Sequence, residues 1–194
     1  ELDWDFYKKK YGNISRMDRI FKAEGKSPDD FKVAKQADTL MAFYNLGKQE
    51  VGDLIQSLGY NIPVDYFEKN LEYYFARTSH GSTLSRVVHA SLSNISGGRE
   101  LSWKLFSEAL SSDFQDIQGG TTAEGIHSGV MAGTVWLAMT SYAGLDLTQE
   151  QVRFSPNLPD HWRKISFRIA FKGVDYHCEV SKKGVKIDVF STRK

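Results

Sequence analysis

Ile165-Ser166-Phe167-Arg168-Ile169-Ala170-Phe171-Lys172 sets a large apolar side chain at every second position. Successive side chains of a strand point to opposite faces, so Ile165, Phe167, Ile169 and Phe171 share one side. The alternation returns in Tyr176, Cys178 and Val180, and again in Val185, Ile187 and Val189. Lys172-Gly173 and Lys183-Gly184 mark the turns between these runs. The pattern predicts an antiparallel meander over residues 150–190 with one face buried. So small a sheet rarely stands alone and is expected to pack on what precedes it.

Upstream of Leu147 the apolar period is helical. It runs through Leu40, Phe43 and Tyr44, then Val51, Leu54, Ile55 and Leu58, then Phe67, Leu71, Tyr74 and Phe75. Two further helices carry Leu84, Val87, Val88, Leu92 and Ile95, and Leu101, Leu105, Phe106, Ala109 and Leu110. The last run, from Thr122 to Tyr142, is apolar almost all round and is expected to be buried on every side. Gly47, Gly59, Gly97-Gly98 and Gly144 follow the runs, where left-handed C-caps are wanted. Pro63 reads as a helix start, and Thr121 with Glu124 as a capping box. The predicted organisation is a helical domain over residues 1–148 and a small β-sheet domain over 149–194.

The 194 residues are 41% apolar and 13% aromatic, enough for a sizeable core and too apolar for a disordered chain. Lys and Arg total 25 against 24 Asp and Glu. With no basic excess and no nucleic-acid motif, DNA or RNA is not expected as a partner. Lys8-Lys9-Lys10 reads as a solvated helix face. The single cysteine, Cys178, cannot form an internal disulfide, which fits a reducing compartment and a cytoplasmic protein. No apolar run approaches the ~20 residues that span a bilayer, and no signal-peptide pattern opens the chain. The first residue is Glu1, as if cut from something larger.

The chemistry concentrates in polar loops that lead into helices. Arg77-Thr78-Ser79-His80-Gly81-Ser82-Thr83-Leu84-Ser85 places hydroxyls, a glycine and a histidine at a helix N-terminus, where free N–H groups suit an anion. The competing reading is that Ser82 or Thr83 simply caps the helix, and spacing alone favours it. Gly119-Gly120-Thr121-Thr122-Ala123-Glu124-Gly125-Ile126-His127 is built alike, with Glu124 and His127 three apart and so on one helical face. Glu124 reads first as a capping residue, and His127 equally as a site residue or a satisfied core histidine. Lys35-Gln36-Ala37-Asp38 opens a helix with two donors and an acceptor suited to sugar hydroxyls. The Glu-x-x-His pair lacks further ligands, so no metal is expected.

Taken in order, these stretches resemble glycoside hydrolase family 65, the maltose, trehalose and kojibiose phosphorylases and their hydrolytic relatives. Lys35-Gln36-Ala37-Asp38, Leu58-Gly59-Tyr60 and Thr78 to Ser85 carry the likeness. It continues through Asp116 to His127, Met131-Ala132-Gly133-Thr134, and Phe154-Ser155-Pro156-Asn157-Leu158-Pro159 with Trp162. The resemblance implies the C-terminal part of an (α/α)6 barrel followed by a small β domain. It implies that Lys35 and Gln36 hold a glucosyl unit and that His80, Gly81, Ser82 and Thr83 hold phosphate, with His127 a second candidate there. The family's general-acid glutamate lies upstream of the Lys-Gln pair, and residues 1–34 offer no equivalent; Asp3, Asp5 and Glu24 stand in ordinary polar contexts. The expectation is therefore a fragment with no catalytic residue of its own. Its substrates would be a disaccharide or glucose 1-phosphate and inorganic phosphate, with no other cofactor.

In an inverting phosphorylase, phosphate takes the place that a base and its water hold in an inverting hydrolase. No acid lies between Arg77 and Arg86, which favours phosphate there over a catalytic base. A hydrolase with Glu124 as base and a noncatalytic sugar-binding module are the alternatives. An exposed inner barrel face predicts self-association.

Overall fold

A computed structural model gives the fold; it describes residues 1–191 except 119, 121 and 149. Seven α-helices come first: α1 (Trp4–Tyr11), α2 (Met17–Ala23), α3 (Asp38–Ser57), α4 (Tyr66–Phe75), α5 (Leu84–Ile95), α6 (Arg99–Ser111) and α7 (Ser128–Leu137). Five strands follow: β1 (Leu145–Asp146), β2 (Arg153–Phe154), β3 (Lys164–Phe171), β4 (Val174–Ser181) and β5 (Gly184–Ser191). The chain divides into two compact units, residues 1–133 and 134–194. No described helix is long and apolar enough to cross a membrane.

In the first unit α3, α4 and α5 close over a core of Leu40, Phe43, Val51, Phe67, Leu71, Val88 and Leu92. A smaller cluster joins α1 to α2 through Leu2, Tyr7, Met17 and Phe21, with Phe31 stacked on Phe21 at 4.5 Å. Gly59 and Gly97 close their helices as anticipated: Gly59 and Tyr60 donate back to Gln56 and Ile55, and Gly97 and Gly98 to Asn94 and Ser93. Gly47 breaks α3 into two helical segments, its φ of 83° being open to glycine.

Several local expectations give way to tertiary packing. Pro63 does not start a helix; Asp65 is the N-cap of α4, and Tyr66 donates to the Pro63 carbonyl in the preceding turn. The last helix starts at Ser128, not Thr122, because residues 122–124 form only a short 3-10 turn. Thr121, the proposed N-cap, lies outside the described residues. Nor is that helix buried all round, since Val135 and Trp136 are exposed. The helix buried on every side is α5, where each residue from Ser85 to Ser93 is covered. Its polar side therefore faces other residues instead of water, which obliges it to find partners.

In the second unit the meander has the order β3-β4-β5, both pairs antiparallel, with Ile165 opposite Val180 and Cys178 opposite Ile187. Lys172-Gly173 forms the first turn with both φ angles positive, the conformation of a two-residue hairpin. The second turn is Lys182-Lys183, one residue earlier than anticipated, and Gly184 opens β5. Burial is deepest on the central strand at Cys178 and Val180, whereas Val189 and Phe190 on β5 are exposed. A separate pair, β1 with β2, starts the strands at Leu145. Beside it, a Cβ on Gly144 would lie 2.0 Å from the Ser155 oxygen at a φ of +72°, so only glycine fits.

Candidate functional site

Three chain segments meet at Gly81. After α4 the backbone turns at Arg77 and runs beside residues 34–35, with Ala34 donating to Arg77 (2.8 Å), Ser79 to Ala34 (2.9 Å) and Gly81 to Lys35 (2.7 Å). A Cβ at Gly81 would stand 2.8 Å from Cγ of Lys35 and 3.0 Å from the Ser15 carbonyl. The glycine thus lets the segment before α2, the segment at Lys35 and the loop before α5 close on one another. Lys35 and the His80–Thr83 loop are neighbours because backbone hydrogen bonds make them so.

His80 takes a left-handed φ of 57°. Its carbonyl accepts from Arg86 Nη1 (3.2 Å) and from Gln118 Nε2 (2.7 Å), which ties the 116–120 loop to the His80 loop. Its ring Nδ1 pairs with Ser85 Oγ at 3.0 Å and its edge meets the His89 ring at 4.6 Å. Burial, with His89 and Arg86 close by, pushes the His80 pKa down to about 3; burial alone pushes His89 down to about 4. Both rings are neutral at pH 7, so His80 contributes no positive charge. His89 Nε2 is buried without a hydrogen-bond partner, its ring stacked on Phe75. Arg86, also buried, is neutralised by Glu108 at 2.9 Å.

Thr83 stands at the N-cap of α5 with helical φ and ψ and makes no side-chain capping bond. Among the described residues the backbone N–H groups of Ser82, Thr83 and Leu84 have no acceptor. Donors left open at the start of a helix attract negative charge.

Lys35 Nζ lies 3.7 Å from Asp18, whose carboxylate also takes Arg16 Nε and Nη2 at 3.1 Å each. Gln36 donates to Asp38 at 2.8 Å, and both Lys35 and Gln36 are exposed. His127 is fixed by Asp113, which accepts from its backbone N–H (2.9 Å) and meets ring Nδ1 at 2.7 Å. A carboxylate can only accept, so Nδ1 carries the proton, and Nε2 lies 3.8 Å from Glu124. The Glu124–His127 pair does not form on a helical face as anticipated, because α7 begins after His127; the loop itself brings the two together.

Sequence reasoning missed Arg16, Asp18, Asp113 and Gln118. Gln118 lay inside a quoted stretch, but the others occupy ordinary polar positions with no local signal. Of the acids before Lys35, Asp3 caps α1. Glu24 binds Lys10, Lys26, Tyr7 and Tyr11, and the two lysines hold its carboxyl far below the usual range. A group held ionised in this way is a poor proton donor. Among the described residues no three His, Cys, Asp or Glu gather as metal ligands.

A helical part is followed by a small β domain, and within the helical part a polar loop and a lysine meet at one glycine. Residues 1–136 match the glycosyl hydrolase family 65 central catalytic domain and residues 145–193 match the family's C-terminal domain. The chain belongs to glycosyl hydrolase family 65. It is 47% identical over 173 residues to trehalose 6-phosphate phosphorylase of Lactococcus lactis, covering 89% of this chain and 22% of that protein. It is 30% identical over 166 residues to kojibiose phosphorylase of Caldanaerobacter subterraneus, covering 85% of this chain and 20% of that one. A solved structure from the human microbiome, described as a candidate kojibiose phosphorylase, superposes with a TM-score of 0.64 at 24% identity over 83% of this chain and 21% of that chain. That likeness establishes the fold, part of a helical barrel followed by a small β domain. The chain spans about a fifth of the length of these relatives.

Proposed function

We propose that the chain supplies the glucosyl- and phosphate-binding side of an enzyme that cleaves an α-glucosyl disaccharide by inverting phosphorolysis. The observation that carries this reading is the clip between Gly81 and Lys35, which sets Lys35 beside a helix start rich in donors. Phosphate would sit on the N–H groups and hydroxyls of Ser82 and Thr83, with His127 Nε2 as a further contact. One phosphate oxygen attacks the anomeric carbon, the glycosidic bond breaks, and the departing oxygen takes a proton from a carboxylic acid outside these residues. Lys35 and Gln36 would hold the glucosyl unit, so that attack starts from an aligned pair. Neutral His80 suits this task, because it orders the loop through Ser85 without anchoring the product phosphate by charge.

The relatives named as trehalose, trehalose 6-phosphate and kojibiose phosphorylases support the reaction class. The test is phosphate-dependent release of glucose 1-phosphate by the longer polypeptide that carries these residues, with its anomer read by NMR. Retention at the anomeric carbon, or turnover by water without phosphate, would overturn the reading; the second outcome would return Glu124 to consideration as a base. The 194 residues alone should show no turnover, because general acid catalysis contributes ~10²–10⁴-fold and no acid here is placed for it.

A further inference from the structure

We propose that Gln118 is a positioning residue for phosphate, acting through the His80 carbonyl to hold the loop that leads into α5. The inference rests on the phosphorolytic reading above and deepens it, since Gln118 itself touches neither substrate.

It starts from a backbone conformation. Among the described residues, His80 and Lys172 are the two other than glycine with positive φ. Lys172 sits in a hairpin turn, where the paired strands on either side enforce that angle. His80 has no hairpin around it. A left-handed residue with a side chain persists only where its surroundings over-determine it. Gly81, Ser82 and Thr83 follow directly, so whatever fixes His80 also sets where the donors assigned to phosphate point.

Two buried side chains supply that restraint by converging on one oxygen. Gln118, 3% exposed, donates from Nε2 to the His80 carbonyl at 2.7 Å. Arg86, 5% exposed, donates from Nη1 to the same carbonyl at 3.2 Å. A carbonyl oxygen has two lone pairs, and both are taken. Arg86 belongs to α5 and is anchored by Glu108 of α6, so it holds the loop to the helix it enters. Gln118 comes from 38 residues further along the chain. Of the two, it is the one that ties the loop to the stretch leading on to His127.

The segment around Gln118 is itself braced. Asn13 Nδ2 donates to the Ile117 carbonyl at 3.1 Å, and Asn13 Oδ1 accepts from the Ser15 N–H at 3.0 Å. The Ser15 carbonyl is the one that stands against Gly81. The contacts close a circuit in which Gly81 rests on Ser15, Ser15 on Asn13, Asn13 on Ile117, and Gln118 on His80. Asn13 is exposed and its bonds compete with water, whereas the Gln118 bond is buried. The buried link is the stronger restraint.

The experiment uses the longer polypeptide and whichever of trehalose, trehalose 6-phosphate, kojibiose or nigerose it turns over, with inorganic phosphate and sugar varied in turn. Gln118→Met keeps the length of the side chain without the donor and leaves Arg86 on the His80 carbonyl. It should raise the KM for inorganic phosphate about tenfold, the size of one lost buried hydrogen bond, with the KM for sugar within about twofold. In a Ser82→Ala background the same change should have a smaller effect, because a hydroxyl that the loop positions is already gone. Asn13→Ala, at an exposed position, should raise the phosphate KM by a smaller factor without moving the melting temperature. Equal rises in both KM values, or a lower melting temperature with both KM values unchanged, would make Gln118 purely structural and overturn the inference while leaving phosphorolysis intact. If Gln118→Met does not fold, Asn13→Ala decides, and an unmoved phosphate KM there overturns it. Absence of phosphate-dependent turnover in the unaltered enzyme would instead remove the reading on which it rests.

Discussion

Asp113 spends both carboxylate oxygens on His127, one on the backbone N–H at 2.9 Å and one on ring Nδ1 at 2.7 Å. The pair fixes the tautomer and the direction of a loop histidine that no helix holds. Asp113→Ala should therefore loosen His127, raising the KM for phosphate about tenfold with a smaller effect on the KM for sugar. Steady-state kinetics with each substrate varied in turn would measure it. An unchanged phosphate KM would mean that His127 Nε2 touches nothing in the reaction.

The loop before α5 offers a sharper contrast. Ser82→Ala with Thr83→Ala should weaken phosphate far more than sugar, each lost bond to an ionised oxygen costing about 1.5–3 kcal/mol. Gln36→Ala should do the reverse. Titration of each ligand by calorimetry would separate the two effects. Unaltered phosphate affinity in the double variant would reduce the hydroxyls to packing.

Gly81 is the hinge of the site's geometry. An alanine there would press on Cγ of Lys35 at 2.8 Å and on the Ser15 carbonyl at 3.0 Å. The lysine stem can shift but the carbonyl cannot easily, so a loss of about 1–3 kcal/mol is expected, typical of overpacking. Denaturant unfolding would give the loss, and a parallel rise in the KM for sugar would report displacement of Lys35.

The two buried histidines set an acid limit. His80 and His89 have folded pKa values of about 3 and about 4, below their ordinary 6.5. The unfolded chain therefore binds more protons between those values and 6.5, so stability rises with pH across that window and falls on acidification. It is complete above pH 6.5 and is progressively lost toward pH 4 and below. Melting temperatures recorded from pH 7 to pH 4 should drop, and His89→Gln should flatten the slope. A flat profile in the unaltered protein would show that both rings reach water.

Periodicity alone determined most of the elements, because each depends on neighbours a few residues away. The alternation at Ile165 to Phe171 and the glycine after Lys172 specify a hairpin locally, and Gly59 and Gly97 end helices through bonds to residues three to five back. The ordered loops, Lys35 and His80 among them, likewise carried the likeness to glycosyl hydrolase family 65. What only the tertiary structure decided is which segments meet. Nothing local says that Asp113 will hold His127, that Gln118 will reach His80, or that Ser15 will stand against Gly81. The spacing of α5 marks one apolar face, yet its polar face is buried as well, because other elements cover it. Burial is a property of the assembled surface, and so is the neutrality of His80. A side chain's charge state and partners follow from what is packed beside it, and the chain order alone does not contain that distance.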